Sequence, residues 1–281
     1  MNISVCIDAV LPGNDEAQKL HDLQSIGISA FEFWAWWDKD LVTIKKAMDD
    51  TGLSLAAMCT RFISLTNPAR RTEYLEGFQD SIAAAHKLGC KTLISQVGDD
   101  TGADRNIQHT SIVDGLKACL PSLEKTDITL VIEPLNTLID HKGYYLWQSS
   151  EGFDIIRKVN SPNVRLLYDM YHQQIMEGNI INTITANINL IGHFHAAGLP
   201  GRGALDESEL DYRYIFNAIY KAGYTKYIGL EYFPAGCVTR HEACEDLKIS
   251  LAALEHRLPA VNGRGSPGKT SIINVPSGSF Q

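Results

Sequence analysis

The chain lacks most of what would send it to a membrane, a nucleic acid or an oxidising compartment. No apolar run approaches the roughly 20 residues that a membrane-spanning helix needs. The start, Met-Asn-Ile-Ser-Val-Cys, shows neither a basic leader nor a small-residue cleavage site. Basic residues are outnumbered, with 25 Lys and Arg against 33 Asp and Glu and a formal charge of −8. A nucleic-acid partner usually calls for the opposite balance. Six cysteines are scattered without a CxxC pair, so small core residues or free thiols are expected, not a disulfide framework, and a cytoplasmic protein is the default. No GxGxxG follows the first strand-like segment, which removes the main support for a dinucleotide-binding open sheet. What is present is 44% hydrophobic residues in 281, enough for one large core. The length falls in the range of a single α/β barrel, about 250 residues.

Short apolar runs alternate with stretches of helical periodicity. Strands are expected at residues 2–7, 29–34, 53–59, 91–96, 128–132, 164–169, 190–195 and 226–231. Helices are expected at about 15–26, 38–51, 72–88, 108–125, 147–159, 179–189, 212–222 and 239–257, with Gly27, Gly52, Gly89 and Gly223 as stops. Eight strand–helix units of about 30 residues call for a parallel sheet, and eight is the number that closes a (β/α)8 TIM barrel. Strands covered by helices on both faces read as continuous hydrophobic runs, as these do. One barrel domain is expected over residues 1–258. Residues 259–281 are rich in Gly, Pro and Ser and are expected to form a flexible tail or to pack across a neighbouring subunit.

Four successive strands finish on a hard metal-ligand type. Glu133 follows Leu-Val-Ile and precedes Pro134, which cannot continue a ladder. Asp169 ends Val-Arg-Leu-Leu-Tyr, His195 ends Leu-Ile-Gly-His-Phe, and Glu231 ends Tyr-Ile-Gly-Leu. In a βα barrel the strand ends meet at one mouth, so these four should converge. Three carboxylates and an imidazole favour Mn²⁺ or Mg²⁺, with Co²⁺ possible, and a cation would relieve their mutual repulsion. Each acid by itself reads equally well as a helix cap or turn residue; the series of four carries the signal. His193 shares parity with His195 and should lie one layer deeper, as a supporting group. Glu32, in Phe-Glu-Phe-Trp, is a candidate partner behind the ligands. His172 and Arg202 fall in loops at the mouth and suit substrate oxygens or an anion. Trp34, Trp36 and Trp37, like Tyr144 and Tyr145, read as pocket wall or as packing.

The segments Glu133-Pro-Leu-Asn, Tyr168-Asp-Met-Tyr-His172, Ile191-Gly-His-Phe-His195 and Gly229-Leu-Glu231, with Phe31-Glu-Phe-Trp, resemble the hydroxypyruvate isomerase-like branch of the xylose isomerase-like (AP endonuclease family 2) barrels. That superfamily also holds the ketose 3-epimerases and, more distantly, endonuclease IV. The likeness runs from about residue 2 to about residue 257. It implies a divalent metal held by Glu133, Asp169, His195 and Glu231, with Glu133 and Glu231 as the acid–base pair. It also implies substrate contacts from His172 and Arg202, and a homo-oligomer, dimer or tetramer. The expected activity is a metal-dependent isomerase of a sugar or small hydroxy-keto acid, moving a proton through an enediolate. Two departures bear on the substrate. His195 stands where some hydroxypyruvate isomerases carry Gln, and residues 137–143 lack the further glutamate of the 3-epimerases. A ketose 3-epimerase is therefore the alternative within the family. A non-catalytic sugar-binding barrel is the alternative from another class, and the acidic balance speaks against a nuclease.

Overall fold

Each of the eight apolar runs forms a strand, and each strand pairs in parallel with its neighbours in the chain. The computed structural model describes residues 2–255, so the expected tail at 259–281 and the end of the eighth expected helix lie outside the described residues. The strands are β1 (Asn2–Cys6), β2 (Ala30–Phe33), β3 (Ser54–Cys59), β4 (Thr92–Ser95), β5 (Thr129–Ile132), β6 (Val164–Asp169), β7 (Ile191–Ala196) and β8 (Tyr227–Leu230). They close in sequence order, with Asn2 of β1 opposite Tyr227 of β8 and Val5 opposite Leu230. This is the (β/α)8 barrel that the alternation implies.

The helices around it are α1 (Ile7–Val10), α2 (Glu16–Ser25), α3 (Leu41–Thr51), α4 (Arg71–Leu88), α5 (Arg105–Leu123), α6 (Ser149–Val159), α7 (Met170–Met176), α8 (Ile180–Asn187), α9 (Tyr212–Lys221) and α10 (Arg240–Glu255). Aspartate side chains cap α2, α3, α5 and α9 at their N-termini, each accepting from a backbone N–H that has no partner inside the helix. The helices differ from the sequence reading in four places. Helix α1 is not among the expected helices and takes Ile7 from the end of the first expected strand, and α3 starts at Leu41, not 38, because Asp40 caps it. Helix α5 starts at Arg105, not 108, because Asp104 accepts from the amides of Asn106 and Ile107. Between β6 and β7 stand two helices in place of one, separated where Gly178 and Asn179 both take left-handed backbone, φ 63° and 49°. Asp169 starts the first of them directly off its strand by capping the amides of Tyr171 and His172.

Inside the barrel, Ala57, Cys59, Ile94, Val131 and Leu167 form a small apolar plug against which Trp34 packs. A much larger core lies between strands and helices. The six cysteines are free thiols, five of them buried. Among the described residues no helix is long and apolar enough to cross a membrane.

Candidate active site

Strand ends deliver the site. Glu133 lies one residue beyond β5 and Glu231 one beyond β8, where its amide donates to Ala196 O at 3.0 Å. Asp169 is the last residue of β6 and sits opposite His195 of β7 in register. All four are buried, from 0% exposed for Asp169 to 5% for Glu231. His195 Nδ1 stands 3.6 Å from Glu133 Oε1 and 3.6 Å from Glu231 Oε2. His172 is not in a loop at the mouth as expected: because Asp169 caps α7, it is carried on that helix's first turn, fully buried and outside the cavity lining, with Nε2 3.5 Å from Asp169 Oδ2. Glu133 Oε1, Asp169 Oδ2, His172 Nε2 and His195 Nδ1 are all buried without a hydrogen-bond partner. One such atom costs about 1–3 kcal/mol; four turned toward each other mark a place built for something else.

The donor set fits a hard divalent cation. Glu133, Asp169, His172 and Glu231 each place a ligand atom within 4.8 Å of the others, and Glu32, His193 and His195 form a second such group. The second group is already satisfied by protons. Glu32 Oε2 faces His195 Nε2 at 2.9 Å, while Oε1 faces His193 Nε2 at 2.9 Å and accepts from the Ser4 hydroxyl. With Nε2 donating to Glu32, His195 turns Nδ1 to Glu133 and Glu231, and in the neutral ring that nitrogen is a lone pair, the arrangement in which a carboxylate behind a histidine fixes the ligating nitrogen.

Charges are distributed unevenly. Burial raises the pKa of Glu133, with Glu231 and Asp169 adding to it against His195. Burial also raises Asp169, against Arg202 and His195. Burial would raise Glu231 too, but His195, Arg202 and the Trp34 indole outweigh it and the net shift is downward. For His195, burial opposes the charged form and is overcome by Glu231, Glu133 and Glu32, which lift its pKa well above the usual value. Trp34 Nε1 donates to Glu231 Oε1 at 2.6 Å and the Arg202 guanidinium pairs with Oε2. Arg202 adopts a left-handed φ of 55° in a loop pinned by the Gly198–Gly203 bridge.

Above these groups opens a cavity of about 520 Å³, walled by Trp34, Phe62, Leu135, Tyr144, Arg70 and Arg202 among others. Tyr144 also binds the site's frame, accepting from Val97 N and donating to Glu133 O. Tyr145 points away and bonds Glu151. Trp36 and Trp37 pack edge to face, with Trp36 bonded to Ser81 and Trp37 edge-on to Phe62 at 5.0 Å between ring centroids. The sequence pattern assigns no role to Ser4, Asn136 or Asp140. Asn136 is fully buried beside His172, and an amide side chain two residues past a strand-end Pro is the signal that could have marked it.

Residues 20–253 match the model of the xylose isomerase-like TIM barrel family. The hydroxypyruvate isomerase of Escherichia coli (strain K12) is 34% identical over 168 residues, which is 59% of this chain and 65% of that protein, just under two thirds of its length. Among solved structures, the AP endonuclease, family 2, from Brucella melitensis superposes with a TM-score of 0.78 at 25% identity, covering 84% of this chain and 95% of that one. The D-psicose 3-epimerase of Clostridium cellulolyticum H10, solved with D-tagatose, shares the fold at a TM-score of 0.74 and 18% identity, over 91% of this chain and 100% of that one.

Proposed function

Because the chain belongs to the xylose isomerase-like TIM barrel family, we propose that it is an isomerase of small hydroxy-carbonyl compounds, a sugar or a hydroxy-keto acid of the hydroxypyruvate type. Glu133, Asp169, His195 and Glu231 would hold a divalent ion, Mn²⁺ or Mg²⁺ before Co²⁺. When bound, such an ion supplies a Lewis acid that polarises the carbonyl and adjacent hydroxyl of the substrate and acidifies the C–H beside them. The chain's own residues do the rest. One of the two glutamates takes that proton and a glutamate returns it to the neighbouring carbon while the hydroxyl proton passes to the former carbonyl oxygen, which interconverts aldose and ketose. Return to the opposite face of the same carbon would instead epimerise it. Arg202 offers N–H groups at the cavity floor for substrate oxygens, His172 stands behind the floor against Asp169, and Trp34 holds Glu231 in place.

The observation that carries this reading is the convergence of Glu133 Oε1, Asp169 Oδ2 and His195 Nδ1 as bare, buried atoms from three adjacent strands. The relatedness to a hydroxypyruvate isomerase supports the substrate class. The test is proton NMR in D₂O with Mg²⁺-loaded protein and a panel of hydroxypyruvate and small ketoses. Deuterium entering beside the carbonyl, lost with EDTA and regained with Mg²⁺, is the expected result, and the product distinguishes isomerase from epimerase. Tight sugar binding with no exchange at any carbon would replace this reading with a non-catalytic barrel.

A further inference from the structure

Two imidazoles turn a nitrogen toward the carboxylates, His195 from the cavity floor and His172 from the buried layer beside Asp169, and their rear partners assign them opposite duties. Behind His172 stands Asn136, whose hydrogen-bonding capacity is fully allotted. Its Oδ1 accepts from the amides of Ile139 at 3.1 Å and Asp140 at 3.0 Å. Two backbone donors on that atom fix it as the oxygen, so the other terminal atom is the NH₂ group. One of its hydrogens goes to Asp140 Oδ2 at 2.6 Å, an oxygen that also accepts from the Tyr171 hydroxyl at 3.0 Å. The other goes to His172 Nδ1 at 2.7 Å. An imidazole nitrogen that faces an N–H must be the acceptor, so the proton of a neutral His172 is on Nε2, the buried atom turned into the site. Neutral His195 also carries its proton on Nε2, but there Nε2 points away, to Glu32, and the lone pair of Nδ1 faces inward once its second proton is displaced. The same tautomer therefore gives one lone pair and one N–H to the carboxylate cluster.

We propose that Asn136 is a positioning residue that locks His172 as a hydrogen-bond donor, its N–H turned to the carboxylate cluster 3.5 Å from Asp169 Oδ2, and so withholds it from metal ligation although its Nε2 lies within 4.8 Å of a ligand atom of each of the three carboxylates. The effect on kcat rests on the isomerase reading, but the tautomer is independent of it. Three features make the lock a built one: Asn136 is fully buried, Asp140 and Tyr171 prevent the amide from turning, and the loop amides fix its oxygen.

The test is long-range ¹H–¹⁵N spectroscopy of histidine-labelled full-length protein, metal-free and with Mg²⁺ or Zn²⁺, each without substrate. For His172 the expected result is a protonated, pyrrole-type Nε2 and an unprotonated, pyridine-type Nδ1 in both states, while His195 Nδ1 shifts on metal addition. A His172 Nε2 that loses its proton when metal binds overturns the proposal, as does a proton found on Nδ1. The near-isosteric Asn136→Asp presents an acceptor to Nδ1 and should draw the proton there. Its kcat should fall about 10–100-fold, the usual range for a group behind the reacting ones, with Mn²⁺ binding no weaker. A variant that keeps the Nε2–H tautomer, or that loses metal affinity in step with kcat, overturns the role of Asn136. If Asn136→Asp does not fold, the wild-type spectrum still decides. A substrate panel that shows no exchange would sink the isomerase reading, whereas the tautomer of His172 is read from the spectrum without any substrate.

Discussion

At the scale of single residues, Glu133 has one oxygen bare in a buried, anionic setting, and its pKa is raised chiefly by that burial. Replacing it with Gln should abolish turnover by at least about 10²–10⁴-fold, the contribution of a positioned acid or base. The metal-free fold should be kept or stabilised, because a like charge next to Asp169 and Glu231 is removed. A kcat near normal in stopped assays would defeat the acid–base assignment. Glu32 lies in the opposite situation. Burial alone would raise its pKa, but His193 and His195 bring it far below the usual carboxylate range. A depressed carboxylate contributes stability above its unfolded pKa of about 4.3, and that contribution is lost as pH falls toward the folded value. His195, raised by its carboxylates, contributes in the other sense: fully below about pH 6.5, and lost as pH climbs through its folded pKa. Metal-free Glu32→Gln should therefore be weaker by about 3–5 kcal/mol near pH 5–6, the range for breaking a buried ion pair. Its melting temperature should also fall less steeply between pH 5 and 3 than that of the wild type. Parallel curves in thermal melts from pH 3 to 8 would show that the Glu32 pair is not what senses acid.

Elements position these residues through contacts that no single segment reveals. Strand β8 passes behind His195 at Gly229, where an added Cβ would lie 2.6 Å from Glu32 Oε1 and 2.7 Å from His195 Cδ2. Gly229→Ala should cost about 1–3 kcal/mol by overpacking and should weaken Mn²⁺ binding, since His195 must turn away from the carboxylates. A variant that melts and binds Mn²⁺ like the wild type would mean the two side chains have room to yield. The barrel itself was legible because buried parallel strands keep their apolar runs and the helices between them keep their period and glycine stops. The convergence of Glu133, Asp169, His195 and Glu231 was legible for the same reason: in a closed parallel barrel, a strand's last residue has only one place to be. Other features depend on tertiary pairing. Trp34 reaches Glu231 across 197 positions, and Asn136 meets His172 only because a loop folds its amide backward. Asp169 hid a second duty, since a residue that caps α7 with Oδ1 while turning Oδ2 to the site looks in sequence like an ordinary cap. Helix α7 was missed, and His172 with it placed in a loop, because the helix is only Met170–Met176 and is started by Asp169 straight off its strand, whereas α8 lies where a helix is expected.

At the scale of the whole molecule, an acidic chain with a formal charge of −8 buries three carboxylates in one pocket, with a fourth, Glu32, behind it. Arg202 answers only part of that charge, through Glu231. A divalent cation at the strand ends would then be a stability determinant of the entire barrel as well as a reagent. Anything that binds only the folded state stabilises by RT ln(1 + [L]/Kd), about 2.7 kcal/mol at 100 Kd. For a domain of this size 1 kcal/mol moves the melting temperature by roughly 2–4 °C, so saturating Mn²⁺ should raise it by on the order of 5–10 °C and EDTA should reverse the gain. The gain should also grow from pH 5.5 to 8. Glu133, Asp169 and His195 all have raised pKa values, so protons compete with the ion for the same lone pairs and leave as pH rises. Glu133→Gln should lose most of the gain at every pH while keeping its own metal-free melt. Scanning fluorimetry with Mn²⁺, Mg²⁺ and Co²⁺ across that range measures all of this on one plate. A melting temperature indifferent to all three ions, in protein shown to be metal-free at the start, would mean that the bare atoms of the floor do not form a cation site.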